Sequence, residues 1–562
     1  MRKTKARMIQ EAGATDGALR LIPLGGLGEF GLNAMVLEWE GHLLLVDAGM
    51  LFPSAEMPGI DAIVPDFAYL RERREQLRGI VLTHGHEDHI GALAFALQAA
   101  AAPVFGSALT LGFARRRLQE RGVEADLHTL VPGRSSDAGP FRLHPIRVAH
   151  SVTDSLALAI ETPAGVVLAS GDFKIDAQAP PEERTDMEAL AAWGKKGVRV
   201  LLSDSTNVEQ RGATPGEDEV LPAFRAALES TRGKLLVSCF ATSIPRIQRV
   251  ADAGRELGRE IAFLGRRMVD NASVARDLGL LHIPDSALTD AARLSGRPGQ
   301  KLLMFVSGSQ GEPLSALAAI SVDSHPEVSV GPGDTVVLSA RAIPGNERTV
   351  SRLISNLYRR GCDVVHPGNA RVHVSGHGSQ DDLVTLLRLV RPAYLVPVHG
   401  EYRMLAQHRR LAVEAGLPEA NVLVAEDGEV LRFDATGARR EGQVAAGRVL
   451  LDGPGELADE IVRERRQLAA DGMVVPVILL DRETGRIEQA PQIVARGAFD
   501  PASEAELLED AEQELLQEME SLSREERRDL PLARERARLC LRRLFKRRLQ
   551  RRPLVVPVVM EV

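Results

Sequence analysis

The chain has 562 residues, 44% hydrophobic and 26% charged, a globular composition too long for one ordinary core, so about three or four domains are expected. Its formal net charge of −8 gives no global support for a phosphate-backbone partner, and any nucleic-acid role needs a local basic groove. Three cysteines, Cys239, Cys362 and Cys540, lie far apart and outside any C-x-x-C arrangement, which argues against a disulfide framework and thiolate zinc and for a reducing cytoplasm.

Residues 1–17 begin Met1-Arg2-Lys3-Thr4-Lys5 without the apolar stretch of a secretory signal and are expected to be a flexible N-terminus. Gly25-Gly26-Leu27-Gly28-Glu29-Phe30-Gly31 formally contains G-x-G-x-x-G, with Asp47 downstream as in a dinucleotide fingerprint. The context refuses that reading. Met35–Trp39, a turn at Glu40-Gly41 and Leu43–Asp47 form a hairpin, where a pyrophosphate site needs a helix. Asp47 ends a buried strand; it either orients a ligand histidine from behind or starts a turn.

The apolar run Gly79–Leu82 is a buried strand that ends in Thr83-His84-Gly85-His86-Glu87-Asp88-His89. On extended backbone His84 and His86 face one metal, while Asp88 and His89 turn toward a second. Neutral imidazole with carboxylate suits zinc or manganese. Ile90–Leu97 reads as a helix whose N-terminus lies near Asp88 and His89. The uncharged stretch from Ile90 to Phe113 raises a membrane span, but Gln98, Pro103, Ser107 and Thr110 interrupt it; a helix, a break and a short strand fit better, and no membrane role is expected. Strand-like Arg142–Val148 delivers His150, and Gly165–Ser170 delivers Asp172. His150 can complete the shell of His84 and His86, and Asp172 can bridge two metals through its two oxygens. His144, inside its strand, is expected to be structural.

With His399 these residues, His84, His86, Asp88, His89, His150 and Asp172, resemble the ligand series of the metallo-β-lactamase superfamily. The resemblance implies an α/β fold, an αβ/βα sandwich with metals at one edge. Alternating strands and helices over 217–377 resemble the inserted β-CASP domain of its nucleic-acid-processing members. Ser307–Pro313, Ile343–Glu347, His373-Val374-Ser375-Gly376-His377 and Pro397-Val398-His399-Gly400-Glu401 together resemble the bacterial ribonuclease J family over about residues 18 to 450. Two departures stand out. Phe240-Ala241-Thr242-Ser243-Ile244-Pro245 replaces the family's Phe-Ala-Ser-Asn-Ile-His, and the usual serine run appears as Ser339-Ala340-Arg341-Ala342.

The resemblance implies domains at 18–216 and 378–450 (the two parts of the sandwich) and 217–377 (β-CASP). A linker at 451–470 and a small C-terminal α/β domain at 471–562 complete the division. It implies two divalent ions per chain, zinc first and manganese second. His84, His86, His150 and Asp172 would hold one; Asp88, His89, Asp172 and His399 the other, with Asp88 also counted as catalytic. His377 would reach the scissile phosphate, held by Asp204, although either residue alone could be a polar loop position. Thr242, Ser309, His373, Val374, Ser375, Gly376 and His377 would bind substrate phosphate, anchoring a 5′-monophosphate end.

The activity implied is a 5′-to-3′ exoribonuclease with endonuclease action in RNA maturation and decay. Its partners would be single-stranded RNA, a homodimer or homotetramer, and an RNA-degradation complex. Lys174, Arg246, Arg249, Arg266, Arg267, Arg341, Arg371 and Arg403 are candidates for the basic groove, or solvated surface residues.

Beyond Gly453-Pro454-Gly455 a charged linker helix is expected, then strands at Met473–Leu480, Gln492–Arg496 and about 554–559. Ser503 with Glu506 would cap a helix with Leu508, Ala511, Leu515, Met519 and Leu522 on one face. A helix over Ala533–Gln550 carries a basic face of Arg542, Arg543, Lys546, Arg547 and Arg548, which could touch RNA, face solvent or serve self-association. A small-molecule metallohydrolase would share the metal ligands but has no need of so large an insertion. A DNA-directed β-CASP nuclease cannot be told apart from the metal ligands, and a silent scaffold would show eroded ligands, of which there are none.

Overall fold

The computed structural model describes residues 16–53, 57, 59–290, 297–343, 345–453, 455–500 and 504–562. The residues expected to form the flexible N-terminus lie mostly outside that set, as does Ser503 of the expected capping box. The chain forms two compact units. The larger runs to Phe52 and from Ile63 to Val449; the smaller combines Pro53–Ala62 with Leu450–Val562.

The larger unit contains the expected sandwich. Its first sheet has eight strands in the order Gly437–Gln443, Glu429–Asp434, Leu19–Gly25, Ala34–Trp39, His42–Val46, Leu77–Val81, Val104–Gly106 and Leu127–Thr129. The second has six, in the order Tyr394–Val398, Val200–Asp204, Gly165–Ala169, Leu156–Thr162, Phe141–Arg147 and Ser136–Ala138. Alternate residues of each strand meet between the sheets: Leu21, Leu37, Leu44 and Val81 from the first pack with Leu143, Leu158, Val167, Leu202 and Val396 from the second. The opposite side chains of the second sheet, among them Ala159, Leu168 and Leu201, bury Leu190, Leu383, Leu387 and Leu411 from helices. On the first sheet's outer side the helix Ala108–Glu120 packs on Val104–Gly106 and Leu127–Thr129. This is the alternation expected of strands covered on both faces.

Inserted between Asp204 and Tyr394 is a second lobe with five parallel strands, ordered Glu260–Leu264, Leu302–Val306, Leu235–Ser238, Thr335–Leu338 and Asp363–Val365. Near-continuous apolar runs such as Leu302-Leu303-Met304-Phe305-Val306 are fully buried there, as strands covered on both faces demand. The glycine-rich stretch is followed by the expected hairpin, Ala34–Trp39 pairing antiparallel with His42–Val46.

One expectation is corrected. In place of a helix over Ile90–Leu97 there is a single turn, Glu87–Ile90, and a separate helix, Leu93–Ala99. The backbone of residues 48–50 and Asn33 intrudes on the turn. Glu87 O accepts from Met50 N (3.0 Å) as well as from Gly91 N (2.8 Å), whereas Asp88 O accepts from Asn33 N (3.2 Å) and His89 O from Ala48 N (2.8 Å), so the Asp88 and His89 carbonyls are diverted from extending a helix. Gly49 makes the approach feasible, because a Cβ there would fall 1.6 Å from Asp88 O. Asp88 and His89 therefore lie within a one-turn helix tied to a neighbouring loop, too short to supply the expected dipole.

In the smaller unit, Met473–Leu480 pairs with Gln492–Arg496, Leu554–Val555 and Val558–Glu561. One face of this sheet is covered by the helices Ala505–Glu520 and Leu530–Leu549 through Val474, Ile478, Leu515, Met519, Leu541 and Phe545. A helix over Asp459–Asp471 precedes it. Arg547 and Arg548 of the basic face pair with Glu514 and Asp510 of the adjoining helix.

Candidate active site

The strand ends converge as their sequence positions suggest. His84 follows Leu77–Val81, His150 follows Phe141–Arg147, Asp172 follows Gly165–Ala169, Asp204 ends its strand and His399 follows Tyr394–Val398. They form three overlapping groups: His84, His86, His150 and Asp172; Asp88, His89, Asp172 and His399; and Asp172, Asp204, His377 and His399.

The donor set fits a pair of divalent ions. His84 Nε2 lies 3.1 Å from His86 Nδ1, and His150 Nε2 lies 3.3 Å from that same nitrogen. A tetrahedron with bonds of about 2.0–2.1 Å has edges of about 3.3 Å, so these nitrogens already stand at ligand-to-ligand spacing. Asp172 Oδ2 is 3.5 Å from His84 Nε2, 3.8 Å from His150 Nε2 and 3.3 Å from His89 Nε2. It is buried and has no hydrogen-bond partner among the described residues, an arrangement that costs free energy unless a cation faces the oxygen. Asp172 Oδ2 thus lies against both groups, and its Oδ1 lies 3.8 Å from His399 Nδ1 of the second. In the second group His399 Nε2 is 3.1 Å from Asp88 Oδ2.

The outer nitrogens are held in a way that fixes the tautomers. His89 Nδ1 donates to Asp47 Oδ2 (2.8 Å) and His150 Nδ1 to Gly376 O (2.8 Å). Asp47 thus stands behind His89, a candidate ligand, in the left-handed region at φ 61°; His399, at φ 56°, shares this uncommon conformation. Two threonines complete a repeated relay that sequence reading missed. Thr83 Oγ1 donates to Asp47 Oδ2 (2.9 Å) and so accepts from His84 Nδ1 (3.1 Å). Thr206 Oγ1 donates to Asp204 Oδ1 (2.7 Å) and accepts from His399 Nδ1 (2.6 Å). The signal was a hydroxyl next to, or two residues after, a candidate functional residue.

Burial holds His84 and His150 well below the ordinary histidine value and lowers His86 to about 4, leaving neutral rings with lone pairs to give. Burial works in the same direction on His89 and His399, but carboxylates outweigh it: Asp172, Asp47 and Asp88 hold His89 well above the ordinary value, and Asp172, Asp204 and Asp88 raise His399 to about 10. A cation in that group would take the place of those protons.

His377 comes from the inserted lobe. Its Nδ1 is 2.8 Å from Asp204 Oδ2, and its ring stacks on His399 with centroids 5.4 Å apart. Burial would lower its pKa, but Asp204 and Asp172 hold it above the ordinary value. The segment 372–376 that leads to it alternates buried and half-buried residues, so His373 and Ser375 share a side. Ser375 Oγ accepts from Asn207 Nδ2 (2.8 Å), and His373 Nδ1 lies 3.1 Å from Arg246 Nη1. Thr242 and Ser309 stand in the loops that leave Leu235–Ser238 and Leu302–Val306 at their C-terminal ends. Val374 and Gly376 contribute backbone carbonyls, Val374 O to Arg246 Nη2 (3.2 Å) and Gly376 O to His150.

Most of the expected basic groove is not a free surface. Arg246 is 1% exposed and bound to Glu217, and Lys174 is 3% exposed beside Asp176 and Glu217. Arg249 pairs with Glu183 and Asp218, Arg267 with Glu87, Arg371 with Glu219, and Arg403 with Glu209 and Glu401. Burying Arg246, Lys174 and Arg249 requires carboxylates, whereas the pairs of Arg267, Arg371 and Arg403 lie at the surface. Arg266 and Arg341 are exposed and have no carboxylate partner among the described residues. His144 is structural, pairing with Glu161 and lying against Trp193. Among the described residues no helix is long and apolar enough to cross a membrane.

Comparison with known families agrees with this geometry. The metallo-beta-lactamase superfamily matches residues 27–204, the ribonuclease J beta-CASP domain 232–357, the Zn-dependent metallo-hydrolase RNA specificity domain 365–425 and the ribonuclease J C-terminal domain 460–562. Ribonuclease J of Synechocystis sp. is 40% identical over 85% of this chain and 76% of its own length; that of Mycobacterium tuberculosis is 38% identical over 98% of both. Ribonuclease J2 of Bacillus subtilis is 34% identical over 97% of this chain and 99% of its own. A crystal structure of an Enterococcus faecalis protein of unknown function shares the fold, with a TM-score of 0.51 and 15% identity over 74% of this chain and all of that one. The chain belongs to the ribonuclease J family.

Proposed function

We propose that the protein is a metal-dependent ribonuclease that degrades single-stranded RNA from a 5′-monophosphate end, 5′ to 3′, and also cuts internally. The observation that carries this reading is the pair of four-residue groups sharing Asp172, set against His377 from the other lobe. His84, His86, His150 and Asp172 would hold one divalent ion, and Asp88, His89, Asp172 and His399 the other, zinc before manganese. What such ions supply when bound is Lewis acidity, lowering the pKa of water and offsetting charge that grows on phosphoryl oxygens.

The side chains do the rest. Asp204 orients the His377 ring and favours its protonated form, so that Nε2 can donate to the scissile phosphate or the leaving oxygen. Thr242, Ser309, His373 and Ser375 would take the 5′ end, fixing the distance from chain end to cut bond. Domain bounds at 18–216, 217–377, 378–450 and 471–562, a homodimer or homotetramer, a degradation complex and a cytoplasmic site complete the reading, supported by the family relationship.

The test uses end-labelled RNA bearing 5′-monophosphate, triphosphate or hydroxyl, with DNA alongside, and the metal content of the purified protein. Monophosphorylated RNA should be shortened processively from its 5′ end, and His86→Ala should lose activity and metal together. Equal digestion by His86→Ala and the parent protein would end the assignment.

A further inference from the structure

Resting on the terminal-phosphate reading above, we propose that Arg341 is the cation of that pocket and sets the preference for a charged 5′ end. The other polar groups of the pocket act as neutral donors.

The topology of the inserted lobe marks the place. After Leu235–Ser238 the chain leaves toward the edge strand Glu260–Leu264; after the adjacent strand Thr335–Leu338 it leaves the other way, toward Asp363–Val365. The crevice between the C-terminal ends of two such strands is where open parallel sheets take ligands. Thr242 stands in the first of these loops and Arg341 in the second. Ser309 stands in the loop of the strand on the far side of Leu235–Ser238.

Charge is then the question, because a terminal phosphate is a dianion and needs more than hydroxyls. Arg246 cannot provide it. Its guanidinium is buried, its Nε and Nη2 go to Glu217 (2.6 and 3.1 Å), and its Nη1 goes to Ser339 O (3.0 Å) and His373 Nδ1. His373 cannot either. Arginine only donates, so His373 Nδ1 accepts, and the remaining proton sits on Nε2 of a neutral ring. Burial, Arg246 and Arg341 together push that imidazole down to about 3. Lys174 is likewise buried against carboxylates.

Arg341 differs on each count. It is exposed and unpaired among the described residues, and it is near enough to His373 to act on its titration. Its backbone is pinned: Gln310 Nε2 donates to Arg341 O (3.0 Å), and Gln310 Oε1 accepts from Ile343 N (2.8 Å). The Thr242 and Ser309 hydroxyls make no hydrogen bond among the described residues, leaving both free to donate to an anion. A planar guanidinium on a fixed loop presents paired donors to phosphate oxygens.

The experiment compares parent, Arg341→Gln and Arg341→Lys on one RNA carrying either a 5′-monophosphate or a 5′-hydroxyl, measuring kcat and KM for each. In Arg341→Gln the KM for the monophosphorylated RNA should rise at least tenfold with little change in kcat, and the monophosphate-to-hydroxyl ratio of kcat/KM should fall toward one. Arg341→Lys, which keeps a point charge without the fork, should retain part of that ratio. If Arg341→Gln keeps the parent's ratio, or weakens both RNAs equally as a general backbone contact would, the proposal is overturned while the pocket reading stands. If the parent itself shows no preference for monophosphate, the pocket reading and this proposal fall together.

Discussion

The candidate metal centre and the crevice of the inserted lobe use polar groups in opposite ways. At the centre, His84, His89, His150 and His399 each have the outer nitrogen fixed, by Thr83, Asp47, Gly376 O and Thr206 respectively. At the crevice, the Thr242 and Ser309 hydroxyls and the Arg341 guanidinium have no partner among the described residues. A site that must hold ions at fixed bond lengths is built as a closed network. One proposed to admit and release a chain end at every turn would need its donors free.

The largest effect that would test this contrast is at His377, which touches the centre without belonging to either four-residue group proposed to hold an ion. His377→Ala should lower kcat on RNA by about 10²–10⁴ while bound metal, measured by elemental analysis, stays at the parent's level. A parallel loss of metal would move His377 into the ligand set, alongside Asp172, Asp204 and His399.

Next comes Arg246, a cation that the sequence suggested for the RNA path and the structure buries. Arg246→Met should destabilise the protein by up to about 3–5 kcal/mol, because buried Glu217 loses its guanidinium and keeps only Lys174, 3.9 Å away; chemical denaturation measures this. Arg246→Met with Glu217→Leu should recover much of the loss. Unchanged stability with weakened RNA binding would instead make Arg246 part of the open crevice.

The smallest effect concerns the relay. Thr206→Val keeps the shape and removes the hydroxyl between Asp204 and His399, so chelator competition should show metal affinity reduced about 10–100-fold. An affinity equal to the parent's would show that the centre does not depend on its closed network.

The same contrast explains what could be read in the sequence. The candidate metal groups were legible because their chemistry is local: a buried strand ending in alternating histidines, and single candidate ligands at the ends of later strands, leave few other uses for those residues. Thr83 and Thr206 were not legible, since a threonine beside a histidine is common and only the fold shows which proton it gives. The basic groove failed for a related reason. Arg246, Arg249 and Arg267 look like any cations in a string of letters, and their carboxylate partners Glu217, Glu183 and Glu87 come from distant segments. The split at Gly91 was hidden because the intruding loop is remote in sequence from the turn it interrupts.

Gly376 O accepts the proton of His150 Nδ1, and a Cβ on Gly376 would come within 2.7 Å of that ring. The segment that carries His377 into place therefore also sets the tautomer of a residue in the opposite lobe. The inserted lobe is for this reason a poor candidate for exchange between relatives: a transplanted one that met His150 a fraction of an ångström off would disturb the group of His84, His86, His150 and Asp172 as well as the position of His377. Loss of metal and loss of alignment between lobes should be inherited together, as one defect.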